Sequence, residues 1–198
     1  MSDVSRETAA RLDCYAALLR KWNPAINLVA PATLVELGHR HIADSAQIYD
    51  LAQPQQGNWI DLGSGGGLPG VVVAILAHAQ PLTVTLVESD RRKAAFLTTA
   101  RRELDLSNLH IRCQRIETIP DAAHDFVSAR ALASVKNLLP NLARQLASQG
   151  EAWLLKGRSW RGEVELARQD WSFDMEVFPS ATDPESVVLK LRNIERHV

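Results

Sequence analysis

Asn58-Trp59-Ile60-Asp61-Leu62-Gly63-Ser64-Gly65-Gly66-Gly67-Leu68-Pro69-Gly70 decides the reading of this chain. A short apolar run, 58–62, carries one acid and passes directly into a turn with almost no side chains. Val71-Val72-Val73-Ala74-Ile75-Leu76 follows, with the apolar density of a buried element. Strand, glycine turn and helix in that order let a backbone approach a nucleotide-like ligand closely. Glycines reach positive φ and lack the Cβ that would block the approach. The helix start offers unpaired N–H groups to an anion.

Gly65-Gly66-Gly67-Leu68-Pro69-Gly70 formally satisfies the dinucleotide pattern G-x-G-x-x-G, so an NAD-linked oxidoreductase is one reading. Two features favour S-adenosylmethionine. Asp61 stands before Gly63, Gly65 and Gly67, where a carboxylate can hold a methionine ammonium, directly or through water, but would repel a pyrophosphate. Pro69 at the helix start costs the helix nothing, yet it removes a donor that pyrophosphate would use. Glu88 lies about 20 residues beyond the loop, placed to accept both ribose hydroxyls in either reading.

Outward from the loop, strand-like and helix-like patterns alternate. Strands are expected at 58–62, 83–88, 109–113, 125–129 and 152–156, and helices at 69–78, 90–105, 135–147 and 159–169. Gly150 reads as the stop of the third of these helices. Two last strands, 175–178 and 186–191, have no helix between them and read as an antiparallel addition. The expected fold is α/β: a Rossmann-like class I S-adenosylmethionine-dependent methyltransferase fold, doubly wound and mostly parallel. Residues 1–52 read as a helical prefix and 57–198 as the α/β core of one domain. In the prefix, Ser5 caps a helix that Pro24 is expected to stop, and Thr33 caps a second running to about Leu51.

The 198 residues, 46% hydrophobic and 23% charged, fit an ordinary globular domain able to bury a core. No stretch nears the roughly 18 consecutive apolar residues of a membrane span. The first residues lack the basic and apolar regions of a secretory signal. Cys14 and Cys113 stand far apart and make neither a metal quartet nor a disulfide framework, which fits two structural thiols in a reducing cytoplasm. No metal site is expected. A net charge of −1 means that any RNA-binding face must be local.

The ends of the later strands bear on the nucleophile. No Asn/Asp-Pro-Pro-aromatic turn for an exocyclic amine occurs, and neither cysteine has the Pro-Cys context used at pyrimidine C5. Instead Ser128-Ala129-Arg130-Ala131-Leu132 and Lys156-Gly157-Arg158 put Arg130 and Lys156 at the mouth, where a general base would otherwise stand. That suits a nucleophile which sheds no proton and belongs to a polyanion, such as guanine N7. Arg130 and Lys156 would then act by positioning and charge, with catalysis mostly alignment.

Trp22-Asn23 with Asn27-Leu28, Arg40-His41-Ile42-Ala43-Asp44-Ser45, the Asp61–Gly70 block, Ser128-Ala129-Arg130-Ala131 and Lys156-Gly157 together resemble the bacterial ribosomal RNA small subunit methyltransferase G family, also called glucose-inhibited division protein B. The resemblance implies methylation of N7 of the guanine at position 527 of 16S rRNA. S-adenosylmethionine would be the donor and 16S rRNA, bare or within the small ribosomal subunit, the partner. Apart from the resemblance, a cytoplasmic monomer is expected. The resemblance also implies cofactor contacts at Gly63, Ser64, Gly65, Leu68, Ile116 and Glu117, with Arg130 closing the site. The family often carries Asp where Glu88 stands and Ala where Ile116 stands; the first difference keeps the carboxylate. Asn27, Arg40, His41 and Asp44 could shape an RNA-side pocket, while His41 and Asp44, three apart on one helix face, could equally be a structural pair. Arg91-Arg92-Lys93 and Arg101-Arg102 read mainly as a solvated helix face. A non-catalytic assembly module that only binds S-adenosylmethionine is the third reading.

Overall fold

The computed structural model describes residues 4–197; the first three residues of the stretch inspected for a secretory signal lie outside them. Ser5 caps α1 (Arg6–Ile26), its hydroxyl oxygen accepting from the Thr8 amide at 3.1 Å. Pro24 does not stop this helix as expected. The chain continues one turn to Asn27, which closes it in the left-handed conformation at φ 54°. A proline forfeits one backbone bond, and here the end is secured otherwise. The buried Asn23 carboxamide oxygen accepts from the Leu28 and Val29 amides at 2.7 and 2.8 Å.

The second prefix segment is not one regular helix from Thr33. It is a 3₁₀ turn at Pro31–Thr33, a π-helix at Leu37–Ala43 and then α2 (Asp44–Ala52). π-turns are rare and concentrate at functional sites.

Seven strands form one sheet: β1 (Gly57–Leu62), β2 (Leu82–Val87), β3 (Leu109–Arg112), β4 (His124–Arg130), β5 (Leu146–Lys156), β6 (Trp171–Pro179) and β7 (Val187–Arg196). Their order is β3-β2-β1-β4-β5-β7-β6. The first five are parallel, while β7 pairs antiparallel with β5 and β6. The helices are α3 (Gly70–Leu76), α4 (Arg91–Glu103), α5 (Val135–Gln145) and α6 (Trp160–Arg168). Asp90 caps α4, its carboxylate accepting from the Arg92 and Lys93 amides. Gly150 does not end α5, which stops at Gln145; it lies inside β5, where a Cβ would sit 2.7 Å from the His124 carbonyl oxygen. Close approach of neighbouring strands, not a helix stop, explains that glycine. Cys113 falls just past β3, and both cysteines are exposed and free.

Alternation along the strands builds two cores. Trp59, Val84, Leu86, Trp153 and Leu155 pack with Tyr15, Leu19, Leu37, Ile48 and α3 on one face. Ile60, Leu62, Val127, Ala129 and Leu154 pack with α5 and α6 on the other. The prefix therefore shares a core with the sheet. Since side chains two apart share a face, Asp61 joins Trp59 on the prefix side, and the register sets it opposite Ser128 on β4. Strand order reverses between β1 and β4, and such a reversal opens a crevice at the carboxyl ends of the strands.

Candidate functional site

A cavity of about 610 Å³ opens in that crevice. Gly63, Ser64, Gly65 and Leu68 line one side, Ile116 and Glu117 the opposite side, with Glu88 between them and Arg130 at one end. The glycine loop is drawn tight under this cavity: the Gly67 amide donates to the Ser64 carbonyl at 2.7 Å, and the Ser64 hydroxyl to the Asp61 carbonyl at 3.0 Å. Gly67 has φ +89°, and a Cβ there would lie 2.4 Å from Val71 Cγ2. At Gly65 an added Cβ meets nothing nearer than the Gly63 carbonyl oxygen at 3.9 Å. The loop thus turns bare backbone toward the open space, a cradle suited to a nucleoside-bearing cofactor.

Two residues expected to grip the ligand also brace the site. Glu88 borders the cavity, but its Oε2 accepts from the Gly65 amide at 2.8 Å and its Oε1 from the Asp90 amide at 2.7 Å. It ties the glycine loop to the end of β2, and each oxygen keeps a second lone pair for a hydroxyl. Asp61 does not line the cavity. It is fully buried behind the loop, its Oδ1 accepting the Ser128 hydroxyl at 2.7 Å, and Ser128 in turn accepts from the Trp59 indole N–H at 2.9 Å. Oδ2 lies at the start of α3, near the Gly70 amide, without a hydrogen bond of normal geometry. Burial pushes the Asp61 carboxyl up to about 6, against the pull of Ser128, Ser64, Gly70 and Arg130. In this conformation Asp61 can act on a bound cation through its field, not by contact. Of the two expected modes, direct or through water, the direct one is not set up here: the residue points to the prefix side of the sheet, beneath the loop rather than into it.

Arg130, at the end of β4, is not a free cation at the mouth. Its Nε lies 3.5 Å from Asp44 Oδ2, its Nη1 donates to the Ser45 hydroxyl oxygen at 3.3 Å and the His41 carbonyl at 3.4 Å, and its Nη2 donates to the Arg40 carbonyl at 3.4 Å. Nη2 also donates to His41 Nδ1 at 2.6 Å. A guanidinium only donates, so Nδ1 is the bare nitrogen and Nε2 carries the proton. That proton faces the Thr33 oxygen at 2.7 Å, and the Thr33 hydroxyl donates to the Ala30 carbonyl at 2.8 Å. Burial, then Arg130 and Arg40, lower the His41 imidazole from 6.5 to about 4, so it is neutral at physiological pH. Burial also lowers the Arg130 guanidinium from its ordinary value, with Asp44 opposing; it remains charged. The wider π turn brings the Arg40 and His41 carbonyls to this guanidinium, and so the prefix residues left open in the sequence converge on one group. Asn27, by contrast, serves as the α1 cap.

Lys156 is likewise engaged. Its ammonium donates to the Ala133 carbonyl at 2.5 Å and pairs with Glu163 Oε2 at 2.9 Å, while that same oxygen accepts from the Val135 amide at 3.0 Å. It therefore anchors the 131–134 strap between β4 and α5 and is not an unpaired charge for RNA. The reason lies 7 residues on, where α6 returns a carboxylate to the strand end.

Two contributors had no pattern in the sequence to mark them. The buried Tyr15 hydroxyl donates to the Gly66 carbonyl at 2.5 Å, fixing the glycine loop from α1. Leu132 covers Gly63, where a Cβ would lie 2.5 Å from Leu132 Cδ1. A second cavity, of about 240 Å³, adjoins the first; His41, Arg130 and Ala131 belong to the walls of both. Ala131 holds a left-handed backbone at φ 49° between them. Strained backbone of this kind persists where surroundings over-determine it. Among the described residues no group of acids, histidines and cysteines could hold a metal ion.

Comparison with known proteins gives this geometry a family. The family profile described as rRNA small subunit methyltransferase G matches residues 8–188. The chain is similar to the ribosomal RNA small subunit methyltransferase G of Paracoccus denitrificans, 51% identical over 98% of either chain. It is also similar to that of Ruegeria sp., 48% identical over 98% of this chain and 95% of the relative. Two solved structures share the fold. One is a TehB-like SAM-dependent methyltransferase from Corynebacterium glutamicum (TM-score 0.59, 18% identity, 93% and 98% of the two chains). The other is a SAM dependent methyltransferase from Aquifex aeolicus (TM-score 0.63, 12% identity, 89% and 97%). These matches decide between the methyltransferase and NAD-linked readings of the glycine loop. With the profile spanning nearly all of the prefix, sheet and site, the chain belongs to the rRNA small subunit methyltransferase G family.

Proposed function

We propose that this protein transfers a methyl group from S-adenosylmethionine to N7 of the guanine at position 527 of 16S rRNA. The observation that carries this reading is the junction of the two cavities. His41, Arg130 and Ala131 form it, and the His41 imidazole there is committed at both nitrogens. An imidazole with no nitrogen to spare at that junction suits guanine N7, whose lone pair needs no deprotonation. Held by Gly63, Ser64, Gly65, Leu68 and Glu88 in the larger cavity, S-adenosylmethionine would supply an electrophilic methyl group for the N7 lone pair, its S–CH₃ electron pair staying with sulfur. The positive charge thereby passes to the purine ring, and no proton moves.

Each residue then has a defined task. Gly63, Ser64, Gly65 and Leu68 cradle the amino-acid end and the ribose, Glu88 accepts from ribose hydroxyls, and Ile116 with Glu117 flanks the adenine. Buried Asp61 offsets the ligand's ammonium through its field. Arg130, held rigid by the prefix, sets the end of the cavity where the reacting atoms meet. Lys156 acts through the strap that it anchors. We further infer one domain, with the 1–52 prefix inseparable from the 57–198 core, acting as a cytoplasmic monomer. The shared core supports the first part; no described helix is long and apolar enough to cross a membrane.

Arg130→Ala tests the assignment. Methyl transfer to small subunits from a strain lacking this gene should fall by at least about 100-fold, with the circular dichroism of the folded chain unchanged. Wild-type turnover in that variant would refute the role. An unmethylated guanine 527 in wild-type cells, read by chemical cleavage mapping, would sink the whole reading and leave a non-catalytic S-adenosylmethionine-binding module in its place.

A further inference from the structure

The smaller cavity lies between the π-helix, the ends of β4 and β5, and the 180–186 connection from β6 to β7. That connection is pinned to the prefix. The Ala181 amide donates to Gln47 Oε1 at 3.0 Å, Gln47 Nε2 donates to the Ser180 hydroxyl oxygen at 3.2 Å, and the Thr182 hydroxyl donates to Asp44 Oδ1 at 3.0 Å. Asp44 in turn pairs with Arg130, so the connection is set in register with the residue at the junction of the cavities.

Two carboxylates border this cavity, Asp44 and Asp183. Asp44 is already engaged by Gln47 and Thr182 through Oδ1 and by Arg130 at Oδ2. Asp183 accepts from the Glu185 amide at 3.0 Å through Oδ1 and from the Ser186 hydroxyl at 2.8 Å through Oδ2, and among the described residues it has no cation within ion-pair distance. Those two donors fix the carboxylate plane and hold it below its ordinary value, hence ionised. Each oxygen keeps a lone pair, so the cavity wall carries an oriented acceptor pair, on which Arg40 and Arg158 act electrostatically from beyond ion-pair distance.

An acceptor pair calls for a ligand edge with two parallel donors. Guanine has one: N1–H and the N2 amino group on its Watson–Crick edge. Adenine shows an acceptor and a C–H at the same places, which a carboxylate rejects. Enzymes that act on a base bring it out of the stack into such a pocket and read that edge. N7 lies on the far side of the purine from N2. We propose that the smaller cavity receives the target guanine, that Asp183 accepts from its N1–H and N2 amino group, and that this pairing turns N7 toward His41, Arg130 and Ala131. The inference rests on the methyl-transfer reading above and adds the residue that selects the base. Asp183 is a specificity-determining residue here; it takes no part in the bond changes.

The test uses the full chain and small subunits whose target position is guanine or adenine, with S-adenosylmethionine binding measured separately by calorimetry. Asp183→Ala should lower kcat/KM on guanine subunits by about 10- to 100-fold and leave S-adenosylmethionine affinity unchanged. Asp183→Asn keeps an acceptor for the Glu185 amide and offers an N–H to adenine N1. Its preference for guanine over adenine should shrink at least tenfold, an effect that mere loosening of the connection does not produce. Three results would overturn the proposal: wild-type kcat/KM in Asp183→Ala, a slower Asp183→Asn with its base preference intact, or a lower KM in Asp183→Asn. The last would mean that an RNA phosphate occupies the cavity instead. A wild-type chain that binds S-adenosylmethionine yet methylates neither subunit overturns the functional reading, and this proposal with it.

Discussion

Replacing Asp61 by asparagine removes the most deeply placed charge of the site, and its consequence for stability can be worked from the structure. Asp61 is wholly buried, and burial raises its carboxyl from the ordinary 3.8 to about 6. The folded chain therefore holds this proton more tightly than the unfolded chain does. Stability is lost as pH rises from the ordinary value through about 6, and the loss is complete above that. At about 1.4 kcal/mol per tenfold change in proton affinity, the full cost is about 3 kcal/mol, of which roughly 2–3 kcal/mol accrues between pH 4 and pH 7. His41 titrates in the same window with the opposite sign. Its imidazole, lowered from 6.5 to about 4, costs stability as pH falls. The wild-type profile alone therefore mixes the two, while the difference between wild type and Asp61→Asn isolates Asp61. Urea unfolding of both chains at pH 4, 5, 6 and 7 should show the variant gaining those 2–3 kcal/mol relative to wild type as pH rises. A difference independent of pH would mean that Asp61 does not carry the buried charge described above. In the wild type, S-adenosylmethionine should bind more tightly as pH rises through 6, because its ammonium favours the ionised carboxylate; in Asp61→Asn that pH dependence should vanish.

Gly67→Ala should cost about 2–4 kcal/mol, since the backbone is at φ +89° and the new Cβ would lie 2.4 Å from Val71 Cγ2; a melting temperature lowered by roughly 5–15 °C checks it, and an unchanged one refutes the tight turn. Glu163→Gln leaves the Lys156 ammonium, 9% exposed, without its counter-ion. Partial exposure of Glu163 reduces the usual penalty for breaking such a pair to about 2–3 kcal/mol. If Lys156 instead served RNA as a free cation, the same variant would bind small subunits more tightly with no loss of stability, which a filter-binding and denaturation pair would reveal.

Much of the fold was legible in the sequence because it depends on local pattern. Alternating apolar strands and amphipathic helices, the glycine turn after β1, the Ser5 cap and the helix-free connection from β6 to β7 all rest on residues near one another. The observed order, with β7 between β5 and β6, agrees with that reading. Errors fell where one local signal was overruled by another contact, near in the chain for Pro24 and distant for Gly150. Pro24 looked like a helix stop, but the Asn23 carboxamide secures a further turn. Gly150 looked like a cap, but the neighbouring strand demands its missing Cβ.

The site divides in the same way. The glycine loop and Glu88 can be found from motif spacing, Arg130 from its place at a strand end, and Ile116 and Glu117 from the family resemblance; all of them border one cavity. Whether a charge in that site is free is a property of three dimensions. Asp61 is read as a ligand for a cation, and the register of β1 on β4 hides it under Ser128. Lys156 and Arg130 are read as open cations; α6 supplies Glu163 to one, while the π-helix supplies His41 and the start of α2 supplies Asp44 to the other. Residue type and spacing determine which chemistry is available at the mouth of the sheet. Packing between segments far apart in the chain decides which of those groups still has a lone pair or a proton to offer, because hydrogen-bond partners and desolvation are set only when the prefix, the strap and the 180–186 connection close around the strand ends.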